Sequence, residues 1–234
     1  MFDIYKSKFP LVRVGNNGDS GYVVPSLTDF DLYIGGGVGS SYCLENDYDT
    51  IKYFDIKNYK IFDATTKDVP DDADPGYIPK NIGIMNTETL TNLTQELADY
   101  SNVFLKMDIE NCEWNWINFL DYETLNKFKV IVIEMHFIGF PEELGDNDVE
   151  MFEKLSAFKK LQKTHRLIHA HGNNYSPHIL EFDAYRIPSV SEFTFVKKEY
   201  ALDEYSTAKL PIDGLDYKND PKLPDKAYVN IHSK

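Results

Sequence analysis

The sequence predicts an α/β fold built on a mostly parallel sheet, and three observations predict it. Apolar, β-like segments alternate along the chain with stretches of helical period, the pattern of a parallel sheet covered on both faces. The segment Lys129-Val-Ile-Val-Ile-Glu-Met-His136 is apolar on both faces, as a central parallel strand must be. Leu32, Tyr33 and Ile34 run directly into Gly35, Gly37 and Gly39, the strand-to-glycine-turn succession that opens nucleotide-binding units. A length of 234 residues suits one such domain with a sizeable core, and no shift in composition divides it.

The elements follow in order. Residues 1–30 hold two short β-like pieces around Asn16-Asn-Gly-Asp-Ser-Gly21. Read plainly they are a hairpin. Read functionally they are a flap whose Asp19, Gly21 and Tyr22 close over a ligand held by the glycine turn. That turn, G-x-G-x-G through Gly35, Gly37 and Gly39, is followed by Ser40 and a helical run carrying Tyr42, Leu44, Tyr48 and Ile51. Glycines there allow unusual backbone angles and let a ligand approach bare backbone, and the helix offers free N–H groups to an anion. The next strand, Tyr59-Lys-Ile-Phe-Asp63, ends on a carboxylate placed to accept hydrogen bonds from ribose hydroxyls.

Residues 66–78 carry four aspartates and two prolines and read as an extended loop. Asn81–Met85 reads as a third strand, and Thr87 or Thr89 caps a helix with Leu90, Leu93, Leu97 and Tyr100 at helical spacing. A fourth strand spans Asn102–Glu110. One aromatic helix then runs through Trp114, Ile117, Phe119 and Leu125, its tryptophans in the core. After the fifth strand, ending at His136, come a helix over 148–163 and a sixth strand from Arg166 to His171. Residues 191–200 alternate cleanly and read as a final antiparallel strand at the sheet edge. From about 205 the chain reads as loop.

Composition excludes some functions. A formal charge of −14 argues against binding nucleic acid or an anionic membrane through a basic face. No apolar run approaches the length of a bilayer, and Met1–Lys6 is too short and polar for a cleavable signal. Cys43 and Cys112 cannot build a disulfide framework, so a cytoplasmic location is expected. Cys112 reads as a buried filler, and His165 and His178 as structural.

Ligands of open parallel sheets bind beyond the carboxyl ends of the strands. That rule gathers Asp63, Asp108, Glu110, Glu134, His136, His171, Asn173 and Asn174 into one cleft. Along a strand Asp108 and Glu110 share a face, as do Glu134 and His136. Such a cluster suits general-base chemistry or a divalent cation.

Several of these segments together resemble the FkbM-type S-adenosylmethionine (SAM) dependent methyltransferases. The resemblance rests on Arg13-Val-Gly with Asp19-Ser-Gly-Tyr-Val23, on Gly35-Gly-Gly-Val-Gly39 with Glu45 downstream, and on Lys106-Met-Asp-Ile-Glu-Asn-Cys-Glu-Trp114. Ile131–His136 and His169-Ala-His-Gly-Asn-Asn174 match later strands, so it covers residues 12–200 in order. Asn111 departs from it, since the family usually has glycine there.

The resemblance implies a three-layer Rossmann-like methyltransferase sandwich with a mostly parallel seven-stranded sheet and one antiparallel, edge-type strand. It implies a single domain of residues 1–234: an N-terminal flap to residue 30, a core over 31–200 and a tail over 201–234. It implies methyl transfer from SAM to a hydroxyl of a glycan or small molecule, a sugar first and a polyketide-type product second. In that reading Gly35, Gly37, Gly39 and Ser40 hold the methionine portion of SAM, Asp63 the ribose, and Asn81, Ile84 and Met85 the adenine, with Asp19, Gly21 and Tyr22 closing over it. Asp108, Glu134 and His136 supply the base or, alternatively, ligate a divalent cation, Mg²⁺ or Mn²⁺. Glu110, His171, Asn173 and Asn174 bind the acceptor. Two other readings compete. A nicotinamide-dependent oxidoreductase needs a third glycine that does not follow Gly39 at the right offset. A non-catalytic glycan- or partner-binding module on the same scaffold would not need the strand-end acids.

Overall fold

The computed structural model describes residues 2–38, 41–66, 75–137, 148–176, 178–182 and 185–230. Seven strands form its central sheet: β1 (Leu32–Gly36), β2 (Tyr59–Phe62), β3 (Tyr77–Ile78), β4 (Val103–Met107), β5 (Phe128–His136), β6 (His165–Gly172) and β7 (Val190–Lys197). Their spatial order is β6-β7-β5-β4-β1-β2-β3. All neighbours are parallel except β7, which is antiparallel to both β5 and β6. Four helices accompany the sheet among the described residues: α1 (Ser41–Tyr53), α2 (Glu113–Phe119), α3 (Tyr122–Leu125) and α4 (Asp148–Thr164). None of them is long and apolar enough to cross a membrane.

Strand alternation sorts the core into two layers. On one face Leu32, Ile34, Leu105, Ile131, Ile133, Phe193 and Phe195 pack with Trp114, Trp116 and Ile117 of α2, Leu125 of α3, and Phe158 and Leu161 of α4. On the other, Tyr33, Ile61, Phe104, Val130, Val132, Ile168 and Val196 pack with Leu44 and Ile51 of α1. That second face is completed by the predicted hairpin, Leu11–Val14 against Tyr22–Pro25, through Val14, Tyr22 and Val24. Both tryptophans lie in the core, as expected.

Several expectations need correction. The antiparallel strand β7 is not at the edge: it lies between β5 and β6, with β6 outermost. Its pattern Phe-Thr-Phe-Val is apolar or hydrogen-bonded on both faces, Thr194 donating to Val23 O of the hairpin at 2.6 Å, and suits an interior position. The third strand of the sheet is Tyr77–Ile78, inside the stretch read as loop. Asn81–Ile82 instead pairs with Leu90–Thr91 in a separate two-stranded ribbon.

The helix expected over Leu90–Tyr100 is replaced by turns, because short polar side chains capture its backbone donors. Thr87 Oγ1 accepts from Thr89 N and Leu90 N, Thr91 Oγ1 from Leu93 N, and Asn92 Oδ1 from Thr94 N. Leu93 adopts a φ of +64°, which no helix tolerates. Leu93 and Leu97 still reach the core, so their spacing recorded burial rather than helix.

The aromatic helix is likewise two helices. Leu120 is extended, and Asp121 caps α3 by accepting from Thr124 N at 2.7 Å. Cys112 is exposed rather than buried, and Phe119 points to solvent. The chain beyond 200 is less idle than expected. Ala201–Tyr205 pairs with Tyr5–Ser7, and the loop beyond returns over the ends of β6 and β7.

Candidate active site

The glycine turn sits where β1 meets β4. Gly37 has a φ of +73°, and a Cβ on it would lie 1.5 Å from Asp108 O. A Cβ on Gly36 would lie 2.5 Å from Ile82 Cδ1. Gly37 is therefore required by the approach of the β4 end, where Asp108 N also donates to Gly36 O at 2.9 Å, whereas at Gly36 only the tip of the Ile82 side chain would have to move. Lys106 adds its ammonium to Gly37 O. Gly39 and Ser40 lie outside the described residues. Asp63, buried at the end of β2, accepts from Val38 N at 2.7 Å through one oxygen. Its other oxygen takes Thr65 N, Thr65 Oγ1 and Thr66 N. Asn81 Oδ1 accepts from Ala64 N beside it, and Ile84 and Met85 stay exposed.

The turn after β4 is held in left-handed backbone: Glu110 has φ +54° and Asn111 φ +73°. Asparagine is the side chain that best tolerates this region after glycine, which accounts for Asn111 standing where the resembled family has glycine. The double left-handed turn swings the chain so that α2 begins at once, with Glu113 in its first turn and wholly buried.

Glu113 Oε1 lies 2.6 Å from His136 Nδ1 at the end of β5. The backbone at the end of β5 is held by Trp114 Nε1, which donates to His136 O at 2.7 Å. A carboxylate on Nδ1 makes that nitrogen the protonated one and leaves Nε2 free to take a proton. Around Nε2 stand Glu110 Oε2 at 3.5 Å and Glu134 Oε1 at 3.6 Å. Burial works to lower the His136 pKa, but the Glu113 hydrogen bond and the surrounding carboxylates outweigh it, and the net shift is upward.

Asp108 belongs to the same cluster. Burial pushes its pKa up to about 6, with Lys106 and His136 pulling the other way. Glu134 is driven well above the usual carboxylate range, by burial first and then by Asp108 and Glu192. Two carboxyl groups that favour their protons stand beside an imidazole that favours its own, so the site can exchange protons near neutral pH.

The cluster extends sideways along the sheet ends. Glu192 on β7 faces Glu134 on β5 and His171 on β6 in register. His171 Nδ1 is 3.2 Å from Glu192 Oε2, and Asn219 Nδ2 joins Glu192 Oε1 at 2.8 Å to Asp19 Oδ1 at 3.1 Å. Asn173 Nδ2 donates to both oxygens of Glu134, at 3.3 and 3.2 Å. His169 Nε2 lies 3.1 Å from Asp216 Oδ2. Asn174 instead ties down the C-terminal loop, donating to Asp220 O and accepting from Asp220 N. Tyr22 of the hairpin is buried beside Asp108, Glu192 and Glu134, whose charges with its burial raise the phenol pKa well above its ordinary value. A Cβ on Gly21 would lie 2.0 Å from Asn16 O, so that glycine serves the hairpin's own turn.

The structure thus brings Asp108, Glu110, Glu134, His136, His171 and Asn173 of the sequence-derived set into one polar layer, with Asp19 and Tyr22 above it. Asp63 and Asn81 form a separate group beyond the glycine turn. Sequence reasoning assigned no role to Glu113, Glu192, Asp216 or Asn219. Glu113 carried a signal, since it stands in the Lys106–Trp114 segment directly before a core tryptophan. Glu192 alternates in phase with Thr194 and Val196, so it had to share their inward face. Asp216 and Asn219 lie in a loop whose path no local pattern gives. No protein-family model, no curated protein and no solved structure matches the chain.

Proposed function

We propose that the chain is a SAM-dependent O-methyltransferase acting on a hydroxyl of a glycan or small-molecule acceptor. The observation that carries this reading is the Glu113–His136 pair with Asp108, placed at the strand ends directly against the glycine turn. A seven-stranded, mostly parallel sheet with one antiparallel strand supports it. So does the pairing of a carboxylate, Asp63, with exposed apolar side chains, Ile84 and Met85, beyond β2.

The residues present fit the cofactor in part. Gly37 and Val38 would lie against its amino-acid portion, Asp63 and Asn81 against the ribose, and Ile84 and Met85 against the adenine. Asp63 already receives protein donors on both oxygens, so a ribose hydroxyl would join or displace them. When bound, SAM supplies an electrophilic methyl group.

The chain's own residues supply the rest. An aliphatic hydroxyl is a poor nucleophile near neutral pH and must lose its proton as it attacks. His136 Nε2 is the acceptor for that proton, because Glu113 holds Nδ1 and stabilises the imidazolium that forms. Asp108 and Glu134 flank it and set its electrostatics. Glu110, His171 and Asn173 offer hydrogen-bonding groups to a polar acceptor, and Tyr22 of the hairpin, itself buried, covers the Asp108–Glu134–Glu192 part of the layer.

The test is transfer of label from methyl-labelled SAM to a panel of sugars, glycans and polyketide-type alcohols. Label in an ether product supports the reading. SAM binding without transfer to any acceptor would favour a non-catalytic binding module instead.

A further inference from the structure

We propose that Asp108, Glu113 and His136 form a binding site for a divalent cation. One ligand atom from each lies within 4.8 Å of the others, a spacing that lets a single ion touch all three. Two oxygens of the cluster are unclaimed. Asp108 Oδ1 and Glu113 Oε2 are buried and make no hydrogen bond among the described residues. Glu113 is 0 % exposed, so bulk water does not serve its second oxygen. Burying a carboxylate oxygen without a partner is costly, and a cation between two of them satisfies both at once.

The local charge points the same way. Glu113, Glu110 and Glu134 stand 2.6, 3.5 and 3.6 Å from the ring nitrogens of His136, and Asp108 completes a group of four carboxylates around one imidazole. Lys106, the cation on the same strand, gives its ammonium to Gly37 O instead. Glu113 keeps Nδ1 through Oε1, so Glu113 Oε2 and Asp108 Oδ1 are the oxygens left for an ion. An ion held on Nε2 and proton uptake by that nitrogen are alternatives, so the ion, where bound, takes over from His136 the activation of the hydroxyl. Glu134, the third ligand that sequence reasoning favoured, is the weaker candidate because both of its oxygens accept from Asn173 Nδ2. Two carboxylates with one imidazole suit Mn²⁺, which accepts both donor types. Where the methyl-transfer reading holds, on which this last consequence rests, the ion lies beside the acceptor hydroxyl and lowers its pKa.

The test needs no methyl acceptor. Mn²⁺ is titrated into the full chain, stripped beforehand with chelator and free of SAM, and free Mn²⁺ is followed by electron paramagnetic resonance. One saturable equivalent per chain is expected. Asp108→Asn and Glu113→Gln should each weaken binding by about tenfold or more. Glu123→Gln, an exposed carboxylate on α3, should leave it unchanged. Near-ultraviolet circular dichroism checks folding, and if Glu113→Gln fails to fold, the half-buried Asp108→Asn carries the comparison. Absence of saturable binding, or wild-type affinity in folded Asp108→Asn, overturns the proposal. SAM affinity measured on the same metal-free samples tests the methyltransferase reading separately: Mn²⁺ binding without SAM binding would sink that reading and leave the cation site standing.

Discussion

Glu113 Oε1 stands 2.6 Å from His136 Nδ1, joining the first turn of α2 to the carboxyl end of β5. That one contact fixes which ring nitrogen is free, and the proposed chemistry follows from it.

Glu113→Gln should therefore act on His136 before it acts on anything else. The glutamine removes the charge that holds the imidazole's pKa up, so burial prevails and the pKa falls. Nuclear magnetic resonance titration of the His136 ring is the direct readout. Turnover should fall by about tenfold or more, with SAM affinity nearly unchanged. An unmoved His136 titration in a folded variant would remove Glu113 from its positioning role.

Asp63→Asn should weaken SAM binding by about tenfold or more, since a hydrogen bond to a charged group contributes roughly 1.5–3 kcal/mol. Asparagine keeps an acceptor for Val38 N or the Thr65–Thr66 donors, so the fold should survive better than with alanine. Calorimetry on the folded variant decides it; wild-type affinity would place the ribose elsewhere.

His165 provides a pH test outside the site. It is fully buried, with Nε2 donating to Phe128 O at 2.8 Å and Nδ1 accepting from Thr164 Oγ1 at 2.7 Å, and burial pushes its pKa down to about 4. The unfolded chain binds that proton near pH 6.5, so the contribution of His165 is present above about 6.5 and is lost as pH falls toward 4. The loss amounts to about 3 kcal/mol. His165→Gln should be less stable at pH 7 yet show a shallower decline between pH 6.5 and 4 in urea unfolding. An equally steep decline would contradict the assignment.

Asn111→Gly should be neutral or stabilising by up to about 1 kcal/mol, because φ +73° suits glycine and the buried, unpartnered Asn111 Oδ1 disappears. Asn111→Val should cost about 1–2 kcal/mol or more in the same left-handed turn. Urea midpoints compare the three; a valine variant as stable as wild type would show that the turn relaxes at no cost.

Much of the framework was legible in the sequence, for identifiable reasons. β5 announced itself because a central strand buried on both faces must be apolar nearly throughout. Asp108, Glu134 and His136 were placed because ligands of parallel sheets gather at carboxyl ends. The ribbon and turns over 81–100 were hidden, since leucines at helical spacing also suit a loop that dips into the core, and side-chain capture of backbone donors decides between them. The position of β7 was hidden because an interior and an edge antiparallel strand differ in their neighbours, not in their alternation. Asp216 and Asn219 reach the site through tertiary contacts alone.

If His136 takes the acceptor's proton during methyl transfer, single-turnover transfer from methyl-labelled SAM reads that step. The wild-type chain should label at least one hydroxyl acceptor of the panel. His136→Ala should transfer about a hundredfold or more slowly while binding SAM with nearly unchanged affinity. Label transfer at near-normal rate in the His136→Ala chain would contradict the assignment of the base, and no SAM binding or transfer by the folded wild-type chain would contradict the account as a whole.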